Sequence, residues 1–279
     1  MTVSEYFLPE SLDEALSLVD KHRSELLVMG GGTVVMPLIN GGISLPKRVL
    51  GLRHAGLDYV NQSNGYVTIG AAVPLTQMLE LDAIPMLQEA ARNTAAWSIR
   101  NLGTVGGNLF VPPPAGDFAV ALLALDAWLK LASKSGERIV ALSEFYTGFL
   151  SNILKDDELV VEIQVPLPEG ETVYIKYGRK RSNTPSIVTV AIQISRDGRQ
   201  VERARIALNG VGPHPKRAVK AESVLTGSIL DSTTIQKAAD QAMEECEPFS
   251  DAISSEWYRR RMVGVYVKRA LSKLIGEEE

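Results

Sequence analysis

The chain has 279 residues, 45% of them hydrophobic and 22% charged, with a formal net charge of −4. That length buries a sizeable core and allows one large or two to three smaller domains, while the acidic balance excludes general nucleic-acid binding, which needs a surplus of Lys and Arg. No apolar run approaches the roughly 20 residues of a bilayer span, and the N-terminal MTVSEYFLPES has no basic stretch followed by an apolar one, so a cytoplasmic location with no membrane span is expected.

In chain order, Ser11, Leu12, Asp13 and Glu14 form a capping box, with Ser11 accepting from the Glu14 N–H and the Glu14 side chain reaching back to Ser11. Leu12, Ala15, Leu16 and Val19 then share one face, which predicts an amphipathic helix over 11–22. The apolar run 26–29 is too short for a helix and reads as a buried strand, ended by Gly30, Gly31 and Gly32. A short helical turn over 33–40 and a strand over 49–52 complete a small α/β lobe of about 50 residues. A strand over 66–70 follows the Asn64-Gly65 turn. Helices are predicted over 76–81, capped by Thr76, and over 84–96.

The segment IRNLGTVGGNLFVPPPAGD, from Ile99 to Asp117, leads into a buried helix over 118–127. Strands at 128–132, 138–141 and 158–165 come next. Pro166, Leu167, Pro168, Glu169 and Gly170 read as a linker, because Pro cannot join a ladder. Beyond it lie strands at 173–179, 187–194 and 204–210, the last two joined by a hairpin turn at Asp197-Gly198. Helices at 217–225, 233–245 and 255–275 close the chain, an α+β order. One cysteine, Cys246, and the dispersed His22, His54 and His214 leave no disulfide, zinc site or iron–sulfur cluster to assemble here.

Two glycine-rich loops carry the candidate chemistry. Gly30, Gly31, Gly32 and Thr33 follow a strand; Thr104, Gly106, Gly107 and Asn108 precede a helix. Adjacent glycines let backbone approach a ligand and turn its N–H groups inward, and Thr and Asn add short polar side chains. Two phosphate-sized cradles about 70 residues apart suggest one ligand with two linked phosphates gripped from both sides; plain tight turns are the alternative reading. The first loop is not a Rossmann turn, since Val35 stands where a third glycine is needed and Leu52, Arg53 and His54 where an acid is needed. Nor is it a P-loop, and no GxSxG elbow is present. Asp117 has two readings: N-cap of the helix after it, or acceptor for a ligand hydroxyl or ring N–H. In the basic run Lys176, Arg179, Lys180 and Arg181, which by default is a solvated strand face, Lys176 stands out. A lysine facing a flavin stabilises the negative charge that reduction builds on its N1–C2=O edge.

These residues resemble the FAD-binding medium subunit of the molybdenum hydroxylases. The matching pieces are GGGTVVMP (30–37), IRNLGTVGGN (99–108), Pro114, Ala115 and Asp117, ALLALDA (121–127), KYGRKRSNTPSIVTVA (176–191), IALNGVGPHPKRA (206–218) and SSEWYRRRM (254–262), covering essentially the whole chain. Val34 departs from the Asp of many relatives, and Phe110, Val111, Pro112 and Pro113 replace a more polar segment. The resemblance implies an α+β chain with a vanillyl-alcohol-oxidase-type FAD-binding fold: residues 1–170 as two α/β subdomains, about 1–52 and 53–170, and 171–279 as a flavoprotein C-terminal domain. It places Leu27, Val28, Met29, Gly30, Gly31, Gly32, Thr33 and Val34, with Thr104, Val105, Gly106, Gly107 and Asn108, around the pyrophosphate and ribityl chain of FAD. Asp117 would bond the flavin end, Val160 and Lys176 would touch cofactor, and Ile187 would lie by the isoalloxazine ring.

The implied role is electron transfer. A large partner would hold the molybdenum cofactor and oxidise an aldehyde, purine or similar small molecule, and a small partner would carry 2Fe–2S clusters, the whole a dimer of heterotrimers. No catalytic acid, base or metal ligand is assigned to this chain. A cofactor-free scaffold and a free-standing FAD oxidoreductase are the alternatives.

Overall fold

The computed structural model describes residues 3–180 and 183–276, so Arg181 of the basic run lies outside the described residues. The first unit comprises β1 (Glu5–Phe7), α1 (Leu12–His22), β2 (Leu26–Met29), α2 (Val35–Asn40) and β3 (Arg48–Gly51), with its parallel strands in the order β1-β3-β2. Ser11 caps α1, accepting from the Glu14 N–H at 3.2 Å, but the Glu14 carboxylate takes the N–H of Glu10 rather than that of Ser11. Strand β1 has no sequence signature: three residues, two of them exposed, pair in parallel with a segment far along the chain.

The second unit runs through β4 (Val60–Ser63), β5 (Tyr66–Gly70), α3 (Pro85–Asn93), α4 (Trp97–Arg100), α5 (Val105–Asn108), α6 (Asp117–Ala124), β6 (Trp128–Ser133), β7 (Gly136–Ala141), the hairpin β8 (Tyr146–Gly148) and β9 (Ser151–Asn152), and β10 (Leu159–Pro166). Its antiparallel sheet has the order β4-β5-β10-β6-β7. The helix predicted over 76–81 is a 3-10 turn over Leu75–Glu80 with Pro74 at its N-cap, and the Thr76 hydroxyl donates instead to Asn101 Oδ1 at 2.6 Å. The helix predicted over 84–96 stops at Asn93: Thr94 is already extended, with ψ 119°, and Ala95 follows with a φ of 51°, which no right-handed helix accommodates.

The third unit is the antiparallel sheet β11 (Glu171–Gly178), β12 (Ser186–Asp197), β13 (Gln200–Asn209) and β14 (Lys216–Arg217), in that order, covered by α7 (Val219–Leu225), α8 (Ser232–Glu244) and α9 (Glu256–Leu274). Asp231 and Ser255 cap the last two helices by accepting from Thr234 and Tyr258 N–H.

Helix α6 joins the second and third units. All eight of its residues are buried, so it has no polar face to give to water. One continuous core holds it together with β5, β6 and β10 on one side and Tyr174, Ala191 and Ala207 of the C-terminal sheet on the other. The first unit adds its own smaller core, closed by Ala132, Leu159 and Val161 of the second.

Candidate cofactor site

Strand β2 delivers the chain into the first glycine loop with Leu27, Val28 and Met29 half-buried. From Gly30 to Val34, among the described residues, five consecutive main-chain N–H groups have no acceptor in the protein. The loop is held at its edges instead: Leu52 N–H reaches the Met29 carbonyl at 3.0 Å, and Met36 N–H reaches that of Gly32 at 2.9 Å. A partly accessible run of open amide donors is the arrangement that binds an anion.

The second loop differs from its sequence reading. Thr104 is the N-cap of α5, and the amides of that helix are spent within the protein. Val105 N–H donates to Val73 O at 2.8 Å, Gly106 N–H to Ala71 O at 3.0 Å, Gly107 N–H to Thr104 Oγ1 at 3.0 Å and Asn108 N–H to Thr104 O at 3.0 Å. The glycine at 106 serves packing, since a Cβ there would stand 2.7 Å from both the Cβ and the carbonyl oxygen of Ala71. The Asn108 side chain is also engaged within the protein: Asn108 Oδ1 accepts the Ala119 N–H at 3.1 Å and so caps α6.

The two loops meet. A Cβ on Gly30 would lie 2.6 Å from Thr104 Oγ1, one on Gly31 would enter the Leu102 carbonyl and stop 2.9 Å from Gly103 Cα, and one on Gly103 would touch Thr33 Oγ1 at 3.4 Å. The open donors of residues 30–34 are therefore backed by the 102–104 segment, with main chain against main chain.

Asp117 is not the N-cap of the helix it opens. Gly116 occupies the N-cap position, and Asp117 is the first residue of α6, 1% exposed. Its Oδ2 lies 2.8 Å from Lys176 Nζ, while Oδ1 accepts from Ser186 Oγ at 2.7 Å and Thr189 Oγ1 at 2.6 Å. Lys176 also donates to the Asn93 carbonyl at 2.9 Å, so one ammonium ties α3, α6 and β11 together. Tyr174, whose hydroxyl donates to the Asp117 carbonyl at 3.2 Å, has its pKa pushed well up, by burial first and then by the Asp117 and Glu89 charges.

Val160 is buried where β10 is irregular against β6. Ile187 is buried at a bulge in β12: Tyr177 pairs with Val188 and Gly178 with Ser186, leaving Ile187 without a ladder partner. Sequence reasoning missed Ser186, Thr189 and Arg259, which connect these elements. No local spacing announces them, because their partners are distant in sequence. Among the described residues, no three His, Cys, Asp or Glu side chains converge as a metal site, and no helix is long and apolar enough to cross a membrane.

Comparison with known proteins decides the family. Residues 2–168 match the model of the FAD binding domain in molybdopterin dehydrogenase, and residues 173–274 that of the CO dehydrogenase flavoprotein C-terminal domain. The chain belongs to the FAD-binding medium subunits of the molybdenum hydroxylases. This medium subunit is 31% identical over 275 residues to the glyceraldehyde dehydrogenase medium chain of Sulfolobus acidocaldarius, covering 96% of this chain and 97% of that one. A chain of the carbon monoxide dehydrogenase structure from Hydrogenophaga pseudoflava superposes with a TM-score of 0.93 at 30% identity, covering 97% and 96%. One from quinoline 2-oxidoreductase of Pseudomonas putida 86 gives 0.91 at 26%, covering 98% and 96%.

The chain is thus an FAD-dependent oxidoreductase subunit with the fold the resemblance implied, and one of the solved structures it is similar to is a Cu,Mo-containing carbon monoxide dehydrogenase. The open amides at 30–34 suit the diphosphate of FAD, and Gly30 and Gly31 allow that loop to pack directly on the 102–104 segment.

Proposed function

We propose that this medium subunit binds FAD with its diphosphate on the amides of Gly30, Gly31, Gly32, Thr33 and Val34, and relays electrons within a molybdenum hydroxylase. The observation that carries the reading is the meeting of the two glycine loops: five open donors on one side, and on the other a wall at Leu102, Gly103 and Thr104 that no side chain at 30 or 31 could share. Leu27, Val28 and Met29 lead into that grip, and Val105, Gly106, Gly107 and Asn108 fix its far wall. Val160, Ile187 and the Asp117–Lys176 pair belong to the flavin end, where the third ammonium proton of Lys176 remains for a ligand.

Bound FAD would accept electrons singly from 2Fe–2S clusters of a small partner and deliver them in pairs to an external acceptor. The protein binds, orients and tunes; no side chain need act as acid or base. Lys176 supplies positive charge in a dry setting, where a charge acts far more strongly than in water. The molybdenum cofactor would reside on a large partner acting on an aldehyde, purine or similar small molecule, in a cytoplasmic dimer of heterotrimers. Residues 1–170 form the FAD-binding part, with subdomains about 1–52 and 53–170, and 171–279 the C-terminal domain. Purification of the native complex tests this: flavin absorbance together with molybdenum and iron supports it, and an intact complex with no flavin bands contradicts it.

A further inference from the structure

We propose that Arg259 is a positioning residue of the flavin end, fixing the β12 bulge at Ile187 and, through Ser186, the Asp117–Lys176 pair. The inference rests on the cofactor reading above and adds a residue to it.

Arg259 lies in the first turn of α9, yet its side chain is fully buried. Nη1 donates to the Ile187 carbonyl at 2.6 Å and approaches that of Ser186 at 3.3 Å, and Nη2 meets both Asp251 oxygens at 3.0 and 2.9 Å. The guanidinium sits 5.1 Å from the centre of the Phe249 ring, and Nε–H has no partner. Burying a guanidinium is costly before its partners compensate, and a well-packed apolar side chain commonly serves stability as well or better. The two carbonyls explain the choice. Ile187 is the extra residue of the bulge and has no ladder partner, and its carbonyl accepts from Arg259. Bulges re-aim side chains, and this one sets the direction of Ile187. Ser186, the residue before it, places its hydroxyl 2.7 Å from Asp117 Oδ1 and 2.6 Å from Pro114 O. A continuous path thus runs from Asp251 through Arg259 and the bulge to Asp117 and Lys176.

The test uses the full-length chain loaded with FAD. Arg259→Lys and Asp251→Asn are compared with Leu271→Ala, a truncation of a fully buried side chain in the same domain's apolar core. Flavin content, the visible absorption spectrum, the midpoint potential and Tm are measured. Expected for both Arg259→Lys and Asp251→Asn are retained FAD, a displaced flavin band and a more negative midpoint potential, because a less well placed Lys176 stabilises the reduced, more negative flavin less. Leu271→Ala should lower Tm and leave spectrum and potential alone. In a Lys176→Gln background the potential shift from Asp251→Asn should vanish. A lower Tm with the wild-type spectrum and potential in Arg259→Lys and Asp251→Asn overturns the proposal and leaves Arg259 a structural residue. If Arg259→Lys fails to fold, Asp251→Asn decides alone. A wild-type chain that takes up no FAD overturns the cofactor reading itself, a result distinct from both.

Discussion

Gly31 and the Leu102 carbonyl approach each other so closely that even a methyl group at Gly31 would overlap the oxygen, and that methyl would also lie 2.9 Å from Gly103 Cα. Neither obstacle is the end of a flexible side chain, so any substitution must part the loops. Gly31→Ala should therefore weaken FAD retention about 10- to 100-fold, equivalent to roughly 1.4–2.8 kcal/mol. Flavin absorbance remaining after gel filtration reads this directly, and full retention would remove the loops from the binding site.

The second glycine pair should fail differently. At Gly106 a Cβ meets Ala71, within the framework that carries α5, so Gly106→Ala should cost about 1–3 kcal/mol of stability through overpacking. Chemical denaturation of the FAD-free chain measures it. A loss of FAD affinity with unchanged stability would reverse the assigned division of labour between the loops.

The Asp117–Lys176 pair is buried on both sides, with side-chain exposures of 1% and 7%. Lys176→Met leaves a buried carboxylate with hydroxyl donors only and should destabilise by about 3–5 kcal/mol. Adding Asp117→Asn should recover part of that loss, a non-additivity that a double-mutant cycle quantifies. Strict additivity would mean that the two groups do not interact in solution.

Acid should destabilise the chain through Glu158. Hydrogen bonds from Arg138 at 2.7 Å lower its pKa, outweighing burial, with the Lys155 N–H helping. A carboxylate whose folded pKa lies below its unfolded value of about 4.3 contributes stability that is fully present above that value and lost as pH falls through the folded one. Tm should drop on acidification below about pH 4.5, and the drop attributable to Glu158 should shrink in Arg138→Gln. Identical acid profiles for the two proteins would refute the assignment.

Much of this architecture is legible in residue order, for identifiable reasons. Short apolar runs bounded by glycine or proline marked β2 and β10, and Ser11 and Ser255 each sit one residue ahead of a helix they cap. What escaped has no local pattern. Strand β1 is only three residues long, two of them exposed, and exists because β3 offers it an edge. Of the two readings open for Asp117, the cap of α6 is supplied by Asn108 from another helix, and Asp117 pairs with Lys176. The amides of Val105, Gly106 and Gly107 looked available because nothing in the segment reveals that residues 71–73 and Thr104 accept them. Arg259 falls in a stretch of three arginines on a surface-like helix, and its buried partners, the Ile187 carbonyl and Asp251, are not announced by that stretch.

FAD that binds only the folded chain, supplied at about 100 times its dissociation constant, should add roughly 2.7 kcal/mol of stability. Tm should rise by several degrees, and Gly31→Ala should blunt the rise at the same FAD concentration. An unchanged Tm for the wild-type chain would count against binding.

The most direct measurement is a crystal structure of the chain with FAD bound. The diphosphate oxygens should lie about 2.7–3.2 Å from main-chain nitrogens between Gly30 and Val34, with α5 still bonded to Ala71, Val73 and Thr104. A diphosphate seated elsewhere, with those five amides facing only water, would contradict the account.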